Sequence, residues 1–577
     1  MSKRKTWILS IVLIIVFAGA AAVSLGLYYG LRGSVPKVEN DSVVEIVVSQ
    51  QIREFPPNNP FLQIFSQQGT SLWQLRQVFR RAAEDERIKA VLLEIHPLGW
   101  SWAQIEELRG QIKVFRESGK PVHSLLAVDL VGEAELYLAS ATDSVTLNPD
   151  AGFLVNGLLV EQTFFKGTME KLGIRPEFIQ FKEYKSAESY SRDSLSPPVR
   201  EMLETIVADL EGRFISTVTQ DRNLEEGVLE EFMKLGVASA EQGLELGLID
   251  QTGYRHQVEE LLAGDGEDSE YRSISGARFL KAARGGSEAP AQHRAAVLPG
   301  VGTIMVGKDD PMTEVLSGVG LARQLRKLRQ NDRIEGVILR VNSPGGSAVG
   351  SDMVWEEVRK LEQEGKPVVV SMSGVAGSGG YYISMGAGHI VSQPSTITGS
   401  IGVIFGKFDL TNLYQWMGIS VDQVKNYPHA DIFSFSRSLG SEQRKRVEDW
   451  IADLYQKFVT KAADSRRMEF QDLEEKARGR IYTGAQAKDL GLVDSLGGFD
   501  AAILELKRAM SLDEDTPLEL DLYPKRKSWW EAALSGDLVS GIRSSMPASP
   551  VNRWTLTLIR QLESPGAWLL APELRFR

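Results

Sequence analysis

The chain has no cysteine in 577 residues. That excludes disulfides, thiolate metal sites and a cysteine nucleophile, and it leaves the compartment open. Histidine is scarce, with six residues, so a base of the imidazole type has few places to come from. A surplus of basic charge is also missing. Lys and Arg number 65 against 76 Asp and Glu, a net −11, so no nucleic-acid partner is expected. Nothing in the motifs points to a metal or a cofactor. Long apolar runs are missing too, apart from one at the start of the chain.

That run is "WILSIVLIIVFAGAAAVSLGLYYGL", Trp7 to Leu31, and it carries no charge. An apolar run of about 18 residues or more reads as a membrane span. Its rival is a cleaved signal peptide, whose apolar region usually covers about 7–15 residues. Here the run continues through Leu25, Leu27, Tyr28 and Tyr29. Lys3, Arg4 and Lys5 precede it, which puts the N-terminus in the cytoplasm and the rest of the chain outside it. The expected localisation is a membrane crossed once, with the body on the side away from the cytoplasm. The remainder is of globular composition, 43% hydrophobic and 24% charged.

The body is duplicated. "DERIKAVLLEIHPLGWSWAQIEELRGQIKVFRESGKPVHSL", from Asp85, aligns without a gap on "NDRIEGVILRVNSPGGSAVGSDMVWEEVRKLEQEGKPVVVS", from Asn331. "AEQGLELGLIDQTG" answers "GAQAKDLGLVDSLG" at nearly the same spacing of about 245 residues. The expected organisation is a basic tip and membrane anchor (1–35), one repeat (40–285), a second repeat (290–525) and a Trp-rich tail (526–577) of no assigned role. The join is rich in small and polar residues. Within each repeat, nearly all-apolar strands such as "GVILRV" alternate with helical patterns, the signature of parallel α/β units covered on both faces.

Each repeat serves as a control for the other. The second reads "GVAGSGGYYISMGAGHIVSQPSTITGSIGV" where the first reads "DLVGEAELYLASATDSVTLNPDAGFLVNGL". Pro394 matches Pro149, yet Glu133 stands opposite Ser378, and Ala134 and Glu135 stand opposite the flanking glycines. The first repeat makes this turn without Gly-Ser-Gly, so the second uses those residues for something besides folding. "NSPGGS" likewise faces "HPLGWS", with Trp100 opposite Gly346. A Gly-Gly pair after a strand leaves backbone N–H groups free to point at a ligand, where Trp would block the approach. Both features lie at the carboxyl ends of strands, where α/β sites cluster.

A serine nucleophile needs a base. On one helix His389 would lie on the same face as Ser378 but about 16 Å along the axis. His429, in a loop-like stretch, stays open as a partner. A buried lysine is the other option, because desolvation lowers its pKa. The first repeat carries "QFKEYKSAESYSRDSLSP", and its Lys185 falls opposite Pro428 or His429 of the second. Lys182 nearby reads as a surface lysine. The first repeat has thus kept a lysine and the second a serine among glycines.

"SPGG", "SGGYYIS" and "TGSIGV" in the second repeat, with "YKSA" and "RDSLSP" in the first, resemble the membrane-anchored Ser-Lys proteases of bacteria grouped as peptidase family S49, in their tandem-repeat form. The resemblance covers most of residues 40–525. It implies two repeats of the Clp-protease/crotonase type of fold behind one transmembrane helix. It implies Ser378 as nucleophile, Lys185 as general base, Ser400 as a hydrogen-bonding partner of the lysine amine, and backbone N–H groups near Gly346 and Gly379 as the oxyanion hole. It further implies a homotetramer, no cofactor or metal, and short apolar peptides, remnant signal peptides among them, as substrates. The Trp-rich tail departs from the family pattern. Three other readings stand beside this one: a Ser378–His429 site within the second repeat, an acyl-CoA enzyme of crotonase type, and a catalytically inactive membrane scaffold.

Overall fold

The computed structural model describes residues 36–57, 70–185, 187–264, 270–283, 291–307 and 315–525, and the backbone of 567–570. The apolar N-terminal run and the rest of the tail lie outside these residues. Among the described residues no helix is long and apolar enough to cross a membrane.

The first repeat is built on a parallel sheet. Its central strands are β1 (Ser42–Gln50), β2 (Ile88–Leu98), β3 (Val122–Leu126) and β4 (Ser144–Leu147), side by side in chain order. The second repeat repeats the plan with β6 (His293–Val301), β8 (Gly336–Ser343) and β10 (Val368–Gly377), also parallel neighbours. β10 continues to β11 (Ile397–Gly399), and β11 pairs antiparallel with β13 (Ile481–Thr483). β14 (Leu518–Leu522) closes the other edge. In β8 all but Asn342 are buried, which is why Val337, Ile338 and Leu339 follow one another without a polar residue between them rather than alternating with polar ones.

Capping fixes where the helices begin. Ser101 caps α1 (Trp102–Arg116), reciprocally with Gln104, and Ser347 caps α2 (Ala348–Gln363) by accepting from the Gly350 amide. These serines are equivalent positions of the two repeats, so the strand-to-helix step is the same device used twice.

The repeats are not separate bodies. Ile397 and Ile481 of the second are buried in the core of the first. Glu106 of α1 accepts from the Ser395 amide and hydroxyl at 3.0 and 2.6 Å. Glu54 accepts from Arg340, Gln104 and Asn342 at 2.9–3.0 Å, and from the Ser373 hydroxyl. Arg340 also reaches Glu107 and the Ser371 hydroxyl, at 3.2 and 2.8 Å. Arg340 and Glu54 side chains are each 3% exposed, so charged groups stand fully paired in the seam.

A third sheet carries the contribution of the first repeat into the second. β5 (Arg175–Gln180) of the first repeat pairs antiparallel with β12 (Ile404–Asp409) of the second over six residue pairs, from Ile404 opposite Gln180 to Asp409 opposite Arg175. The same sheet contains β7 (Thr303–Met305), β9 (Gly345–Ser347) and β15 (Ala567–Leu570).

Candidate active site

Ser378 stands between the end of β10 and the short helix α3 (Gly379–Ser384), at the helix N-cap. Its φ of 55° is unusual for a residue with a side chain, and its amide donates to the Gly399 carbonyl at 2.8 Å. Packing explains the glycines beside it. A Cβ on Gly379 would stand 3.0 Å from both Gly345 Cα and Gly346 N, and one on Gly380 would stand 2.4 Å from the Ser343 carbonyl oxygen. The serine turn and the Gly-Gly loop therefore touch backbone to backbone. Gly346 has φ +149°, and a Cβ there would fall 2.0 Å from the Ile304 carbonyl oxygen. The Ser343 hydroxyl donates to the Gly302 carbonyl and accepts from Gly345 N, bracing the start of the loop.

Lys185 arrives from the first repeat. β5 leads the chain onto the second repeat, where Phe181 N donates to the Val403 carbonyl and Tyr184 N to that of Arg478. Lys185 Nζ ends 2.7 Å from Ser378 Oγ, 2.8 Å from Ser400 Oγ and 3.2 Å from the Ser400 carbonyl oxygen. Lys185 is 3% exposed, and Ser378 and Ser400 are fully buried. Burial holds the amine well below the ordinary lysine range. The amine thus stands within hydrogen-bond reach of the Ser378 hydroxyl and of both Ser400 oxygens.

Ser400 is itself at φ 52°, with its amide donating to the Arg480 carbonyl. One two-residue step thus places two groups: Gly399 accepts from the serine amide and Ser400 faces the lysine amine. Continuing the alignment from Pro149 and Pro394, the first repeat has Val155 in place of Ser400.

Two residues that sequence reasoning missed make room for the lysine. A Cβ on Gly479, at φ +85°, would stand 2.4 Å from Lys185 Cβ and 2.5 Å from its backbone nitrogen. One on Gly402 would meet Lys185 Cβ and Cγ at 3.1 Å. Comparing repeats holds the signal for Gly479, since Leu235 stands opposite it.

The other sequence candidates lie elsewhere. The His429 ring sits with Arg446 and Glu442 and does not meet Ser378, so a Ser378–His429 pair is not formed. His389 Nε2 lies 2.9 Å from the Ser495 hydroxyl. Lys182 is a partly exposed ion-pair partner of Glu474, at 2.7 Å. The 431–438 loop folds around Lys407, whose amine donates to the carbonyls of Ile432, Ser434 and Arg437. Among the described residues there is no cluster of metal-ligating side chains.

The equivalent place in the first repeat is filled by carboxylates. Glu133 accepts from the amides of Asn156 and Gly157, both at 2.8 Å. Glu135 accepts from those of Leu98 and Gly132 at 2.6 and 3.1 Å. Trp100 is buried and donates to the Ser49 carbonyl. Backbone donors that a ligand would need are already satisfied there.

A buried serine held at positive φ against a buried lysine amine, beside a glycine loop, has the make-up of a hydrolase-type nucleophilic site. The model of peptidase family S49 matches residues 114–266 and again 360–513. The chain is 33% identical over 491 residues to the chloroplastic serine protease SPPA of Arabidopsis thaliana, covering 83% of this chain and 71% of the relative. It is 30% identical over 496 residues to Protease 4 of Salmonella typhi, covering 83% and 78%. A solved ClpP1 mutant chain from Listeria monocytogenes is 14% identical, with a TM-score of 0.24, covering 36% of this chain and 94% of that one. The chain belongs to peptidase family S49 and is a serine protease of that family, with two S49 domains of α/β architecture.

Proposed function

We propose that the chain hydrolyses peptide bonds with a dyad of Ser378 and Lys185. Lys185 accepts the Ser378 proton, Oγ attacks the peptide carbonyl, and the protonated amine gives its proton to the leaving nitrogen. An acyl-enzyme results, and water, deprotonated by the same amine, releases it. Ser400 holds the amine in line throughout. Backbone N–H groups of Gly346 and Gly379 face the oxyanion; losing one such donor typically costs about 10²–10³ in rate. The observation that carries this reading is the 2.7 Å contact between a buried amine and the serine hydroxyl.

A water-poor site that keeps a lysine neutral favours apolar chains. We therefore take short apolar peptides, remnant signal peptides among them, as the substrates. The Trp7–Leu31 run would anchor the chain in a bacterial cytoplasmic membrane with its body on the periplasmic side, in a homotetramer. Hydrolysis of an apolar peptide by the full chain, abolished in both Ser378→Ala and Lys185→Ala, is the expected result. Activity retained in Lys185→Ala would reject the dyad, and thioester turnover without peptide hydrolysis would favour the acyl-CoA reading.

A further inference from the structure

Lys185 is not the only side chain that the first repeat sends toward the site. Ser400 ends the segment 393–400, and two carboxylates of α1 hold the start of that segment. Glu106 accepts from the Ser395 amide at 3.0 Å and from the Ser395 hydroxyl at 2.6 Å. Glu107, the next residue, accepts from the Gln393 side-chain amide at 3.3 Å. Pro394, between them, has no N–H to offer. Glu106 is 9% exposed and Ser395 3%, so their two bonds are shielded from water.

From Ser395 the chain runs to the reacting groups tied at every step. Thr396 and Thr398 donate their hydroxyls to the Ser373 and Ala376 carbonyls, both at 2.8 Å. β11 then lies between β10 and β13, with Gly399 opposite Gly377 on one side and Ile481 on the other. The Gly399 carbonyl accepts from the Ser378 amide, and the Ser400 oxygens face the Lys185 amine. Glu106 itself does not meet the dyad. Its partner Ser395 lies five residues before Ser400, up to about 17 Å along an extended chain.

The duplication supplies a control here too. In the other repeat Asp352 stands opposite Glu106 and Asp150 opposite Ser395, so the corresponding pair would be two acids. Asp352 instead accepts from the Tyr382 hydroxyl at 2.7 Å and pairs with Lys461, inside its own repeat. The Glu–Ser clasp is therefore made on the strand that leads to Ser400, and Val155 ends the corresponding segment of the first repeat.

We infer that Glu106 is a positioning residue for the reaction. By clasping Ser395 it fixes the strand 396–400 along its own axis, and so sets where Ser400 meets the Lys185 amine and where Gly399 holds the serine turn. This rests on the peptidase reading above. The first repeat then supplies the base and also registers the strand that aligns it. A shift of about 1 Å in such an alignment costs about 10²-fold in rate.

The test uses the full chain with Glu106→Ala, Glu106→Gln or Ser395→Ala. Gln keeps an oxygen for the Ser395 amide and an NH₂ that donates to the hydroxyl oxygen. Arg213, 3.8 Å from the Glu106 carboxylate, keeps Asp209 at 2.8 Å, so a neutral residue at 106 leaves that cation paired. Peptide hydrolysis gives kcat and KM, and fluorophosphonate labelling of Ser378 against pH reports the amine. Glu106→Ala should lower kcat about 10–10²-fold with KM within about twofold. It should also move the labelling midpoint about half a unit or more to lower pH, because oxygens that accept from the amine favour its charged form. Glu106→Gln should restore kcat to within about threefold of wild type, and Ser395→Ala, which keeps the amide donor, should fall between. Urea midpoints separate these effects from lost stability, which alone does not move the labelling midpoint. An active wild type with unchanged kcat and labelling midpoint in Glu106→Ala would overturn this inference alone. If that chain does not fold, the same unchanged values in Ser395→Ala would overturn it. A wild-type chain that neither labels nor hydrolyses peptide would reject the peptidase reading, and this inference with it.

Discussion

Lys185 Nζ stands 2.7 Å from Ser378 Oγ, although the two residues are 193 positions apart and belong to different copies of the duplicated domain. The β5–β12 ladder spans that separation, because it pairs the lysine-bearing segment of one copy with the other copy's sheet. Each copy supplies one of the two residues, and neither has both at the corresponding positions.

Removing the dyad should abolish turnover while leaving the fold. Ser378→Ala and Lys185→Met should each lower kcat by about 10⁴–10⁶, and the double variant should lose little more, because the pair acts as one unit. Peptide hydrolysis by the three variants, with denaturant unfolding alongside, checks this.

Activity should fall on acidification. The amine must be neutral to accept the serine proton, so kcat/KM rises with pH through its lowered pKa and then levels. Stability carries the same sign. Between the lowered native pKa and the ordinary lysine value of about 10.4, the unfolded chain binds the extra proton, so stability rises with pH across that window. Lys185→Met should remove that part of the slope in a pH series of urea midpoints.

Room for the lysine should matter as much as the lysine. Gly479→Ala pushes a Cβ onto Lys185 and strains a residue at φ +85°. We expect about 10²-fold or greater loss of kcat, the scale of an ångström of misplacement, and about 1–3 kcal/mol of destabilisation. Ser400→Ala should lose about 10–10² in kcat with little change in KM, since it acts on the amine and not on the peptide. Steady-state kinetics on both variants separate the two effects.

The seam between copies should be costly to break. Glu54→Ala leaves Arg340 buried without its closest carboxylate, and removing one partner of a buried pair typically costs about 3–5 kcal/mol. A single unfolding transition, moved to lower denaturant, is expected. Two separate transitions would show that the repeats fold independently.

Much of this site was legible in the sequence because the chain contains its own control. Ala134 and Glu135 opposite the glycines after Ser378, and Trp100 opposite Gly346, marked where glycine was needed for more than a turn. The lysine was harder. Nothing in "EYKSA" distinguishes a buried amine from a solvated one, and its burial depends on Gly402 and Gly479 from the other copy. The charged seam was not legible, because Glu54 and Arg340 are 286 positions apart and each looks like a surface residue in its own segment. The place of the tail strand was hidden too: its four residues gain meaning only from β9 and β12, which pair with them on either side.

The central claim is that Lys185 is the base that activates Ser378. The most direct measurement is the rate at which a fluorophosphonate labels the full chain as a function of pH, with the modified residue located by peptide mapping. Labelling should fall on Ser378, quicken with pH as the amine loses its proton, and drop by about 10³ or more in Lys185→Ala, the lower range of general-base contributions combined with loss of alignment. Labelling of Ser378 at the wild-type rate in Lys185→Ala would contradict the account.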